Sequence, residues 1–262
     1  MSKRVALTVL LSVSLALGVA APTSAAIGQA QHGRAQWAGA ETTTLPPSLL
    51  VRHGSRRDPV IALTFDFGGR AGDAKSIVRW LTTHAVPATI FIVGTTASDT
   101  GAGRRVMALA AQRPDLFLVG NHSWNHPNYT KLTSAQIGRD LAKAEAAIAP
   151  LSGHTTKPWF RAPYGLSNNA VLAAVGAAGW SRTVTWDVGT DDWIAPSRGG
   201  PSPGKLVREV LDQAQNGSIA VMHLNGYSTR AALPAIVAGL RAEGLTPVTL
   251  NTLLGSQASS RP

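Results

Sequence analysis

Five short stretches carry side chains whose types and spacing could do chemistry. The run Ile61-Ala62-Leu63-Thr64-Phe65 ends in Asp66, followed by Phe67, Gly68 and Gly69, which sets a carboxylate at the end of a strand-like segment beside a flexible turn. His122 and His126 stand four residues apart, ahead of Pro127. On a helical turn they would share one face and could approach a single ion, and Pro127 would end that turn. Imidazole is a common ligand of zinc and similar divalent metals. Arg161 closes another short apolar stretch before Ala162-Pro163-Tyr164-Gly165, and its guanidinium fork can orient a carboxylate. The run from Trp186 to Trp193 sets Asp187, Asp191 and Asp192 between two indoles. Aromatic faces pack on sugar rings, and acids beside them bind hydroxyls or tune a histidine. Ile219-Ala220-Val221-Met222 ends in His223. Apart, each is an ordinary turn, loop or core feature; together they supply a base, an acid, paired metal ligands and partners for the titrating groups.

Short apolar runs alternating with helical patterns must position these residues. Val60 to Phe65, Ala88 to Val93, Leu116 to Val119, Arg182 to Thr185 and Ser218 to His223 read as strands. A helix is expected after Thr133, where Thr133 and Gln136 have capping-box spacing and Ile137, Leu141, Ala144 and Ile148 recur on one face; another is expected from Lys205 to Gln215. Such alternation implies a mainly parallel sheet covered by helices, doubly wound or closed into a barrel. In either case ligand sites gather beyond the C-terminal ends of the strands, where Asp66 and His223 fall.

At 262 residues with 44% hydrophobic side chains, one catalytic domain is the expected organisation. Lys3 and Arg4 precede an apolar run from Val5 to Ala20, so residues 1–26 read as a secretory signal peptide; residues 27–57 read as a linker, 58–255 as the domain and 256–262 as a tail. The formal charge of +10 favours anionic surroundings, and export makes a cell wall the expected setting rather than nucleic acid. With no cysteine, neither disulfides nor thiolate ligands are available.

Thr64-Phe65-Asp66, His122-Ser-Trp-Asn-His126, Arg161-Ala-Pro-Tyr164, Asp192-Trp193 and Val221-Met-His223 resemble, in the same order, the five motifs of the polysaccharide deacetylases, the family 4 carbohydrate esterases. The resemblance spans about Asp58 to Leu250. It implies an α/β fold, a single-domain distorted (β/α) barrel, and hydrolysis of acetyl groups on chitin, peptidoglycan or xylan. It makes Asp66 the general base, Arg161 its orienting partner, His223 the general acid and Asp192 the residue that holds His223. His122 and His126 become ligands of a divalent metal, zinc first. Tyr164, Trp193 and Val221 line the pocket for the N-acetylated glycan, and the Tyr164 backbone N–H helps to stabilise the oxyanion. Two departures stand out: Val221 replaces the usual leucine, and Phe67 replaces a second aspartate that completes an Asp-His-His metal set. Two histidines alone imply weaker metal binding, or a third ligand from Asp66, Asp187 or Asp191. Phe67 also leaves open a non-catalytic glycan-binding protein of the same fold, and a hydrolase of another acyl amide or ester is a further alternative.

Overall fold

The computed structural model describes residues 45–99 and 101–255. The expected signal peptide, residues 27–44 of the expected linker and the tail from residue 256 lie outside the described residues. The elements in chain order are β1 (Leu49–Val51), β2 (Val60–Phe67), α1 (Ala74–Thr83), β3 (Ala88–Ile92), α2 (Gly94–Asp99), α3 (Gly101–Ala111), β4 (Phe117–Asn121) and α4 (Ser134–Ser152). They continue with β5 (Trp159–Phe160), α5 (Asn169–Ala177), β6 (Arg182–Val184), α6 (Pro203–Gln213), β7 (Ile219–His223), α7 (Thr229–Ala242), β8 (Thr246–Val248) and α8 (Leu250–Gly255). The linker expectation through residue 57 is corrected by β1, which pairs in parallel with β6. Three residues between polar stretches are too few to show a period in sequence.

The strands run in the order β1-β6-β5-β4-β3-β2-β7, every pairing parallel, with β8 also on β2. Beyond β6 the chain reaches Val188, which bridges to Ala220 of β7 and accepts the Val221 N–H at 2.9 Å. That single bridge closes the sheet into a barrel. Its distortion lies where β5 and β6 hold only two and three residues.

Period-two alternation in β2 decides which side chains meet the site. Ile61, Leu63, Phe65 and Phe67 are buried in the main core beside Ile77, Leu81 and Leu233, whereas Asp66 lies on the other face. The helices bury single stripes against this sheet; α1 does so with Ala74, Ile77, Val78 and Leu81. The Thr133–Gln136 capping box is present at the start of α4, and left-handed Gly153 ends it.

Candidate active site

Register places the two titrating ends together. Asp66 of β2 is opposite His223 of β7, and Asn121, just before His122, is opposite Phe160, just before Arg161. Asp66, His122, His126, Tyr164, Trp193, Val221 and His223 all line one cavity of about 950 Å³. Arg161 and Asp192 are fully buried behind it, each bonded to a lining residue.

Arg161 Nη1 donates to Asp66 Oδ1 at 2.8 Å, while its Nε and Nη2 donate to the carbonyls of Val184 and Thr185 at 3.2 and 3.3 Å. Burial pushes the Asp66 carboxyl up, but Arg161 together with His122 and His223 outweighs it and holds the group below the usual carboxylate range. Asp66 is therefore ionised at neutral pH, with Oδ2 turned toward His122 Nε2 at 3.6 Å.

On the opposite side, His223 Nδ1 meets Asp192 Oδ1 at 2.7 Å, and Asp192 Oδ2 accepts the His223 backbone N–H at 2.8 Å. Thr190 and Thr229 hydroxyls also donate to this carboxylate. A Cβ on Gly226 would collide with Asp192 Oδ2 and Thr229 Oγ1, which explains the glycine after Asn225. Burial disfavours the His223 cation, but Asp192 outweighs it and raises the imidazole above its usual range. The base and the acid thus each have a dedicated buried partner, and their titrations are pushed apart, the arrangement that separates proton acceptor from proton donor.

The histidine pair does not lie on a helical turn, one arrangement that its four-residue spacing allowed. Ser123 and His126 adopt left-handed backbone conformations at φ 72° and 64°, and hydrogen bonds fold the loop back on itself. Asn121 Oδ1 accepts the Ser123 N–H, Ser123 Oγ the His126 N–H, and Asp140 Oδ1 both the Trp124 N–H and the Tyr129 hydroxyl. The imidazoles of His122 and His126 meet edge to face with centroids 4.9 Å apart. His122 Nδ1 is bonded to the Arg161 carbonyl at 2.8 Å, which turns Nε2 toward Asp66. Burial pushes both imidazoles down, His126 to about 4, so both are neutral at pH 7 and carry a lone pair for a metal.

These two imidazoles fit part of a divalent ion's shell. Among the described residues no cluster of three His, Cys, Asp or Glu side chains is arranged to hold a metal. Phe67 is buried in the core rather than lining the cavity. Asp187, a possible third ligand from the sequence, is instead bound to Arg56 at 2.7 Å, Ser218 and the Ile219 N–H, at the opposite end of β7 from His223. Of the three acids offered by the sequence, Asp66 and Asp191 line the cavity.

Trp186, the first of the two indoles read as a sugar-packing face, also lines the cavity, while Thr95, Asn125, Glu209, Gln213 and Asn225, which line it too, had no role in the sequence reading. Asn125, Trp186 and Asn225 lie inside or next to the motifs; Glu209 and Gln213 lie on the polar face of α6 and give no such signal.

Residues 53–182 match the sequence profile of the family described as polysaccharide deacetylase. A peptidoglycan-N-acetylglucosamine deacetylase of Listeria monocytogenes is 29% identical over 81% of this chain, which spans 43% of that protein's length. A chitooligosaccharide deacetylase of Azorhizobium caulinodans is 30% identical over 71% of this chain and 82% of its own. Among solved structures, a family 4 carbohydrate esterase pseudoenzyme from Bacillus anthracis superposes with a TM-score of 0.67 at 27% identity, covering 80% of this chain and 69% of that one.

Proposed function

The chain belongs to the polysaccharide deacetylase family, and from that premise we propose that it is an exported, metal-dependent hydrolase that removes acetyl groups from an N-acetylated glycan of the peptidoglycan or chitin type. The observation that carries this reading is the facing pair Asp66–Arg161 and His223–Asp192 across one cavity. A binding protein needs no separately partnered base and acid.

Asp66 Oδ2 takes a proton from the attacking water as the carbon–oxygen bond forms, while Arg161 keeps the carboxylate aimed. The backbone N–H of Tyr164, held at φ 62°, takes the charge that develops on the acetyl oxygen. His223 then protonates the departing amine as the carbon–nitrogen bond breaks, releasing acetate. Tyr164, Trp193 and Val221 surround the acetyl group and its sugar. Because Asp66 titrates low, it is a weak base toward ordinary water. A divalent ion, zinc first, held by His122 and His126 would supply what is missing by acidifying that water and polarising the acetyl carbonyl. The leader-like start of the chain supports export, and the charge of +10 supports retention at an anionic wall. Among the described residues no helix is long and apolar enough to cross a membrane.

Phe67 favours one competing reading, a glycan-binding protein without turnover. The experiment is acetate release from N-acetylglucosamine oligomers after chelation and stepwise return of zinc. Release that rises with metal, needs a higher metal concentration than a three-ligand site would, and falls in His126→Ala is expected. Capture by insoluble peptidoglycan with no acetate under any divalent ion would establish the binding protein instead.

A further inference from the structure

The cavity extends past the acid–base pair to α6. On that side lie Gly189, Thr190, Asp191, Trp193, Glu209 and Gln213. Gln213 fastens the wall, since its amide exchanges hydrogen bonds with the N–H and carbonyl of Gly189 at 3.3 and 3.2 Å. Trp193 leaves 55% of its surface exposed at the mouth, an apolar face without protein cover. Glu209 Oε1 pairs with Lys205 at 3.5 Å, whereas Oε2 is buried and meets no hydrogen-bond donor among the described residues. A buried carboxylate oxygen without a donor is costly, and here it belongs to a residue that lines a cavity open to ligand.

We propose that Glu209, with the exposed face of the same Trp193 that bounds the acetyl pocket, forms a subsite for a second sugar of the glycan chain, next to the one that loses its acetyl group. The inference rests on the deacetylase reading. An indole packs on the apolar face of a pyranose, and a carboxylate oxygen accepts hydroxyl protons from its edge. Among the described residues no Lys or Arg lines the cavity, so the recognised group is a hydroxyl donor rather than an anion. Glu209 thereby sets preference for chain length.

The test is the ratio of affinities, and of kcat/KM, for N-acetylglucosamine pentamer over dimer, in wild type, Glu209→Gln and Glu209→Ala, with thermal melts to check folding. The ratio is expected to fall about tenfold in both variants, the loss of one charged hydrogen bond. An unchanged ratio in two folded variants overturns the subsite and means that Oε2 is merely hydrated. Acetate released with that unchanged ratio leaves the deacetylase reading standing. Pentamer preference that depends on Glu209 without any acetate keeps the subsite and overturns the deacetylase reading.

Discussion

An Arg161→Met protein is expected to lose about 3–5 kcal/mol of stability and nearly all acetate release. Arg161 is 0% exposed, so methionine preserves much of its bulk while removing three donor contacts, one of them the guanidinium bond to Asp66. Asp66 is then a buried carboxylate without its cation, and the Val184 and Thr185 carbonyls lose a donor. Breaking such a pair from one side costs more than the pair itself contributes, because the remaining charge stays buried. With Arg161 gone, Asp66 loses its main counter-charge, so its pKa rises, and it also loses the contact that aims the carboxylate. Chemical denaturation of Arg161→Met and of Asp66→Asn/Arg161→Met checks the cause, since the double variant should recover part of the loss. A single variant as stable as wild type would show that the pair is not the buried keystone assigned here.

The second large effect is expected in Asp192→Asn. The carboxylate accepts from both the ring and the backbone of His223. An amide in its place can turn a donor toward Nδ1 and release the ring from its proton-donating orientation, lowering kcat/KM by about 10²–10⁴-fold. The pH dependence carries a sign. Asp192 raises the His223 pKa in the folded protein, so its stabilising contribution is complete below the unfolded pKa and is lost as pH rises through the folded value. Removing the charge should move the alkaline limb of kcat/KM to lower pH, and the stability gap between wild type and variant should narrow as pH rises. An alkaline limb unmoved by the substitution would mean that His223 is not the acid that sets it.

Asp66 was legible as the acid that ends the apolar run Ile61 to Phe65 ahead of a glycine turn, and the fold then buries Phe65 and Phe67 in the core and leaves the carboxylate on the other face. The α4 cap was equally plain, since Thr133 and Gln136 act locally. The geometry of His122 and His126 was not: four-residue spacing suits a helix, but long-range contacts from Asp140 and the left-handed conformations at Ser123 and His126 make a loop instead. β1, β5 and β8 escaped notice because two or three residues display too little pattern, although the equally short β6 was read from Arg182 to Thr185. Glu209 was hidden because Lys205 and Glu209 read as an ordinary solvent-facing pair four residues apart on a helix. Asp187 looked as available as Asp191 until the fold gave it Arg56, from 131 positions away in sequence.

The most direct test compares acetate release from an N-acetylglucosamine oligomer by wild type and Asp66→Asn, both confirmed as folded. Removal of the base is expected to reduce the rate by at least about 10²-fold while oligomer binding persists. Equal acetate release by the two proteins would contradict Asp66 as the base on which this mechanism is built.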